Sequence, residues 1–311
     1  MFITSSSSKG GYFLKTKAWS EAIRLTAITA VFAVLLVTAA CGMTVSQDTT
    51  KKEKRALVLM YHHVVKDEET ALLNDATITV GQLRDHLIAL RHAGYNVIPM
   101  SDFVEMMEGG RGVPEKSVVL TFDDGYESFY TLVYPLLKEM GMTASNFVVG
   151  YSSDMYNPEA YPHLSWEQMK EMKKDGMSFY SHTYNLHHKH NTSKEGDPKP
   201  ALTIAKYMPN KQRSEDANEY IRRVKTDLSF MEKRLKEELG EQISLLALPY
   251  GYINEQVLTV GQELGIKLFF LTEEGINHAD QKEIYRINAG NPHITSGQLI
   301  ERMAQFEKNE T

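Results

Sequence analysis

At 311 residues, with 42% hydrophobic and 24% charged side chains, the chain can bury a full core and has the composition of an ordinary globular protein. Its formal charge of −6 argues against nucleic acid as a partner. A single cysteine, Cys41, excludes an internal disulfide framework, so stability has to come from packing.

The front of the chain is a zone of its own. Lys9, Lys15, Lys17 and Arg24 precede an uncharged run, 25–40, that is short for a membrane span, and residues 1–40 read as a signal peptide. The run closes on Val37-Thr38-Ala39-Ala40-Cys41, which resembles the lipobox of bacterial lipoproteins, with Thr38 where leucine is usual. That resemblance implies a lipid on Cys41 and an exported protein anchored on the outer face of the cell membrane. Residues 41–55 then read as the lipidated cysteine and a polar tether, and 56–311 as one domain. Loss of residues 1–40 removes four positive charges and one negative, so the remainder carries −9.

Ala56–Tyr61 is an apolar run that predicts a strand running into His62-His63. Leu83, Leu87 and Leu90 step at helical spacing, and Gly94 stops a helix over Val80–Ala93. Asn96–Met100 reads as a short strand, and Ser101 as the cap of a helix through Met107. Glycines and a proline make Glu108–Lys116 a loop. Val118–Leu120 predicts a strand buried on both faces, ended by Asp123-Asp124-Gly125 and followed by a helix over Tyr126–Met140.

A strand near Ala144–Gly150 and a loop over Tyr151–Pro162 come next, then a helix opened by a Ser165/Gln168 capping box and closed at Gly176. Met177–His182 reads as a strand and 187–209 as an irregular polar insertion. From Ser214, residues Ile221, Val224, Leu228, Met231, Leu235 and Leu239 outline an amphipathic helix that Gly240 stops. A strand over Ile243–Leu248 leads into Pro249-Tyr250-Gly251. A helix (Asn254–Leu264), two strands (Leu268–Thr272, Ile284–Asn288) and a helix (Ser296–Glu307) complete the pattern. Strands alternating with helices predict an α/β fold with a mostly parallel sheet. About eight strands point to a closed or nearly closed (β/α) barrel, with a doubly wound open sheet as the alternative.

Chemistry gathers at strand ends in such folds. A helix cap accounts for Asp124 but not for two adjacent aspartates, which favours a site that holds positive charge between them. His182 and His187 converge only if the strand stops at His182 and a turn brings His187 back, which Asn185 favours. Two imidazoles and one carboxylate suit Zn²⁺, Co²⁺, Ni²⁺ or Fe²⁺. His188 and His190 read as solvated loop residues.

Thr121-Phe122-Asp123-Asp124-Gly125 together with His182-Thr183-Tyr184-Asn185-Leu186-His187 resembles the NodB-type polysaccharide deacetylases, carbohydrate esterase family 4. By that resemblance Asp124, His182 and His187 bind a divalent metal ion and Asp123 is the general base. Leu248-Pro249-Tyr250-Gly251 resembles the motif whose tyrosine N–H helps hold the oxyanion, here Tyr250. Met60-Tyr61-His62 ahead of the aspartates is similar to the poly-N-acetylglucosamine de-N-acetylases of biofilm systems, whose barrel is circularly permuted. His62 is then the general acid and His63 a neighbour pointing the other way.

Two features depart from the family. Ala247 stands where an arginine is usual, and there is no Asp-x-x-Asp-Trp motif. Arg286 is the candidate substitute, through pairing with Asp123. Tyr126, Trp166, Tyr184 and Tyr250 are candidates for stacking on sugar rings or for packing.

The expected reaction is metal-dependent removal of N-acetyl groups from an extracellular N-acetylglucosamine polymer of the poly-β-1,6 type. Peptidoglycan and O-acetyl-xylan deacetylation share the chemistry. A non-catalytic glycan-binding lipoprotein is the alternative of another class, and it has no need of a base, an acid and three ligands.

Overall fold

A computed structural model describes Phe2 and residues 52–308. The proposed signal peptide, Cys41 and most of the tether lie outside the described residues.

Eight short strands organise the molecule: β1 (Arg55–Tyr61), β2 (Ser117–Asp124), β3 (Ser145–Val148), β4 (Ser178–Ser181), β5 (Leu245–Ala247), β6 (Leu268–Phe270), β7 (Glu283–Ile284) and β8 (Ile287–Asn288). They pair in parallel in the order β1-β2-β3-β4-β5-β6-β7. β8 returns to β1 through Ile287 opposite Leu59 and Asn288 opposite Met60. The sheet is therefore a nearly closed barrel, and the open-sheet alternative is excluded. The predicted strand Ile284–Asn288 is split, because it serves both sides of the seam. Tyr285 and Arg286 bridge the two halves.

Period-two alternation sorts the strand residues. Ala56 and Val58 of β1, Val119 of β2, Phe147 of β3, Tyr180 of β4, Leu245 and Ala247 of β5, Leu268 and Phe270 of β6 and Ile284 of β7 share one apolar cluster. Phe103, Val104, Met106 and Met107 of a helix over Met100–Met107 pack into the same cluster. The opposite parity (Leu57, Leu59 and Tyr61; Val118, Leu120 and Phe122) packs outward against helices. That helix starts one residue before the expected cap, since Pro99 holds the extended entry conformation.

Outer helices cover the sheet: α1 (Val80–His92), α2 (Tyr134–Met140), α3 (Trp166–Lys173), α4 (Ala217–Leu239), α5 (Glu255–Glu263) and α6 (Ser296–Lys308). α3 opens with the expected reciprocal capping box of Ser165 and Gln168. In α4, Asp216 and Glu219 form another, so the helix begins after the expected Ser214. Its buried stripe is Tyr220, Val224, Leu228, Met231, Leu235 and Leu239, with Tyr220 rather than Ile221 fully inside. The helix predicted over Tyr126–Met140 begins as a π-helical turn, Phe129–Val133, before α2. The polar insertion contains one small hairpin, Lys189–Asn191 with Pro198–Pro200, and a second, Tyr207–Met208 with Arg213–Ser214, runs past its expected end.

A candidate metal centre at the strand ends

The site is made by three turns, and each contains one non-glycine residue in left-handed conformation: Asp124 (φ 73°), Thr183 (φ 71°) and Tyr250 (φ 60°). Such conformations cost on the order of 1–3 kcal/mol each and collect where function demands them. At the end of β2 the strain has a visible purpose. Parity turns Asp123 inward with Val119 and Thr121, and regular geometry would turn Asp124 outward. The left-handed Asp124 re-aims its carboxylate instead. Gly125 (φ 74°) continues the turn, and a Cβ there would stand 3.1 Å from Val148 Cγ1.

β4 ends at Ser181, so His182 is the first residue beyond it. The left-handed residue of the following turn is Thr183 rather than Asn185. Thr183 Oγ1 accepts from the Leu186 N–H at 3.1 Å, and the Gly150 N–H donates to the Thr183 carbonyl at 3.1 Å. His187 thus returns to His182, with ring centroids 4.6 Å apart. In the third turn the Tyr250 ring stacks on His187 at 5.1 Å. Gly251 (φ 73°) is tight against Thr272, which a Cβ would meet at 1.9 Å.

Asp124, His182 and His187 offer ligand atoms that all lie within 4.8 Å of one another. His182 Nε2 is 3.4 Å and His187 Nε2 3.2 Å from Asp124 Oδ1. That oxygen is buried and has no hydrogen-bond partner among the described residues. His182 Nδ1 is 2.9 Å from the Ala247 carbonyl, so it carries a proton and leaves Nε2 facing the carboxylate. Donors at about 2.0–2.2 Å from a tetrahedral ion are roughly 3.3–3.5 Å apart, so the set fits a divalent cation.

The electrostatics agree with that fit. Burial alone would raise the Asp124 pKa, but His182, His62 and His187 outweigh it and hold the carboxyl well below its usual range. Burial, then the His182 charge, lowers His187 to about 4. Burial also opposes charge on His182, yet Asp124, Asp123 and the Ala247 carbonyl together raise its pKa. An ionised Asp124 beside a neutral His187 is the protonation state that metal ligation requires.

Asp123 is held differently. Arg286 Nη1 donates to Asp123 Oδ1 and Nη2 to Oδ2, both at 2.7 Å, and the two side chains are 0% and 2% exposed. Arg286 Nε donates to the Leu271 carbonyl at 2.7 Å. Burial pushes the Asp123 pKa up, and the charges of Arg286, His182 and His62 more than reverse it, so this aspartate is ionised at neutral pH. Ala247, which stands where the resembled family usually carries an arginine, is fully buried in the barrel interior. The guanidinium arrives from the seam between β7 and β8 instead. His62 follows β1 directly and its charge acts on both aspartates, while its Nδ1 is buried without a partner among the described residues.

A second cluster flanks Asp124, and sequence reasoning missed most of it. His63 Nδ1 is 3.0 Å from Ser128 Oγ, and its ring lies 4.7 Å from Tyr126 and 4.9 Å from Tyr161. Tyr126 also stacks on His163 at 5.1 Å. Main-chain bonds stitch this loop to the aspartate turn: Glu127 N–H to the Pro162 carbonyl and Leu164 N–H to the Gly125 carbonyl, both 2.8 Å. Backbone stitching leaves no residue signature, so only the position of Tyr126 beside Asp123-Asp124-Gly125 hinted at it. The other stacking candidates divide. Tyr250 is partly exposed over His187, whereas Trp166 is buried, with Nε1 donating to Asp154 Oδ1 at 2.7 Å. Tyr184 packs edge-on against Phe230. His190, expected as a solvated loop residue, is buried with Nε2 2.9 Å from the Ile204 carbonyl.

Comparison with known proteins bears on this geometry. A poly-β-1,6-N-acetyl-D-glucosamine N-deacetylase of Escherichia coli K12 is 29% identical over 238 residues, which are 72% of this chain and 35% of that protein. The chain thus spans about a third of the length of that relative. The protein of the same name from Staphylococcus aureus strain COL is 26% identical, over 84% of this chain and 86% of its own length. Among solved structures, a de-N-acetylase from Aggregatibacter actinomycetemcomitans superposes with a TM-score of 0.73 at 27% identity, covering 80% of this chain and 99% of that one. The profile of the polysaccharide deacetylases matches residues 110–269, a span that carries all three strained turns and ends before Arg286. A match over half the chain, joined to a fold shared with a solved de-N-acetylase, makes this chain a member of the polysaccharide deacetylase family.

Proposed function

We propose that the protein hydrolyses the acetamide of N-acetylglucosamine units in a β-1,6-linked polymer, releasing acetate. The observation that carries this reading is an ionised, arginine-clamped Asp123 beside the Asp124–His182–His187 triad. The names of the Escherichia coli and Staphylococcus aureus relatives supply the polymer. Asp124, His182 and His187 would hold the divalent ion, for which the donor set suits Zn²⁺, Co²⁺, Ni²⁺ or Fe²⁺. Such an ion, when bound, supplies Lewis acidity to the acetamide carbonyl and to a water molecule.

The residues around it divide the remaining work. Asp123 accepts the proton of the attacking water, a task for which its ionised state is suited. Arg286 keeps it ionised and fixes its orientation. The Tyr250 N–H would donate to the oxyanion that develops on the carbonyl oxygen as water adds to the carbon. His62 donates a proton to the departing amine.

Acetate release from β-1,6-linked N-acetylglucosamine oligomers by the metal-loaded protein tests the proposal, with Asp123→Asn alongside. The expected result is release by the wild type and loss of at least 10²-fold in the variant. Release only from peptidoglycan fragments or acetyl-xylan would replace the substrate. Metal uptake without release from any of them would sink the enzymatic reading.

We further propose export and lipid anchoring at Cys41, supported by the basic start, the uncharged run and Ala39-Ala40-Cys41. Cys41→Ala is expected to lose fatty-acid labelling and shift the protein from membrane to soluble fractions. An unchanged distribution would refute it.

A further inference from the structure

His182 sits directly on the end of β4, but His187 depends on the turn between them. Three carbonyl and amide groups of that turn are held locally, by Gly150 N–H on the Thr183 carbonyl, Tyr151 N–H on the Tyr184 carbonyl (2.8 Å), and Thr183 Oγ1 on the Leu186 N–H. The two N–H groups between them point at helix α4. There, Asp227 Oδ1 accepts from Tyr184 N–H at 2.9 Å and Oδ2 from Asn185 N–H at 2.8 Å.

Neither helix capping nor ion pairing accounts for the place of this carboxylate. It lies between Val224 and Leu228 on the buried side of α4, far from the helix N-terminus that Asp216 caps. No salt bridge to Asp227 occurs among the described residues. The nearest cation that acts on it, Arg223, is committed to Glu215 and to the carbonyls of Ala201 and Ile204. Burial consequently raises the Asp227 pKa to about 6, partly offset by the two N–H groups. A half-buried carboxylate without a cation is costly, and both of its oxygens face the turn.

We propose that Asp227 is the positioning residue of the metal centre: it clamps the strained Thr183 turn from α4 and thereby sets His187 against Asp124 and His182. The inference rests on the metal-binding reading of that triad. Asp227 touches neither the triad nor the reacting atoms. It acts through two consecutive main-chain N–H groups, whose loss frees the turn to relax Thr183 and carry His187 away from Asp124 Oδ1. Supports of this kind behind a metal ligand are commonly worth about 10–100-fold in metal affinity.

The test is Co²⁺ binding by the full-length protein, read by chelator competition and by the visible absorption of the bound ion, in wild type, Asp227→Asn and Asp227→Glu. Asp227→Asn keeps the shape but turns an NH₂ group against one of the two backbone donors. The expected result is Co²⁺ affinity lower by about 10–100-fold, with an altered absorption band and an unchanged far-ultraviolet circular dichroism spectrum. Asp227→Glu, which keeps the two acceptors, is expected to recover part of the affinity. Amide hydrogen exchange gives a metal-free readout, with faster exchange expected at Tyr184 and Asn185 in Asp227→Asn.

Wild-type affinity and absorption in a folded Asp227→Asn would overturn the proposal and leave the metal site standing. Should Asp227→Asn not fold, Asp227→Ala, which removes both acceptors, decides: lower affinity with faster Tyr184 and Asn185 exchange supports the clamp, and wild-type values of both overturn it. A wild type that takes up no Co²⁺ would instead remove the metal reading itself, and this inference with it.

Discussion

At the scale of single residues, the Asp123–Arg286 pair shows how a departure from a family pattern can be made good from elsewhere in the chain. A buried ion pair is poor evidence of stability, because desolvation consumes most of its Coulombic gain. Its value here lies in protonation state, since burial by itself would push the Asp123 carboxyl up. Arg286→Ala is therefore expected to leave Asp123 unpaired, destabilise the fold by about 3–5 kcal/mol and lower kcat by on the order of 10²-fold. The acid limb of the kcat profile should move to higher pH, because more alkaline solution is then needed to ionise the base. Arg286→Lys should fall between, as an ammonium cannot match the two-point geometry. A pH–kcat profile unmoved in Arg286→Ala would show that the guanidinium does not tune the base.

At the scale of elements, the sequence exposes what periodicity controls and hides what the backbone does. The apolar run of β2 and the i, i+3/i+4 stripe of α4 are visible because most side chains on a buried face are apolar. The two aspartates and two histidines are visible because their chemistry is rare in that order. Asp227 was not, since one acid between Val224 and Leu228 looks like any solvated helix position. Nor was the loop carrying Tyr161 and His163, which main-chain bonds hold to the aspartate turn. Arg286 could be named as a candidate but not placed, because its position follows from the strand break that closes the barrel.

The same helix α4 carries a group whose titration should be measurable. Glu232 accepts from Ser244 Oγ at 2.6 Å through one oxygen, while the other is buried without a partner among the described residues. Burial raises its pKa from 4.5 to about 6. The folded state then binds this proton more tightly than the unfolded state. Its contribution to stability is complete below about pH 4.5 and declines as the pH rises to about 6, by about 1–2 kcal/mol. Glu232→Gln retains the acceptor for Ser244 and removes the titration. Urea denaturation should find the variant more stable than wild type at pH 7.5 and the difference gone near pH 4.5. An equal difference at both pH values would assign the effect to packing.

At the scale of the whole molecule, the candidate centre is assembled from segments far apart in sequence that meet only in the closed barrel. His62 follows β1, Asp123 and Asp124 end β2, His182 and His187 lie beyond β4, Tyr250 follows β5, and Arg286 occupies the β7–β8 seam. An unfolded chain cannot bring Asp124 to the two histidines, so a ligand of that triad binds the native state alone and stabilises it by mass action. The stabilisation is about 2.7 kcal/mol at a free metal concentration one hundred times Kd. For a domain of this size that corresponds to a Tm rise on the order of 5–10 °C, reversed by a chelator. Calorimetric melts of the wild type with and without Zn²⁺ or Co²⁺ measure it directly. His187→Ala should lose most of the shift while Asp123→Asn keeps it, because Asp123 is committed to Arg286 and not to the triad. A shift that persisted undiminished in His187→Ala would put the stabilising ion somewhere other than the ends of β2 and β4.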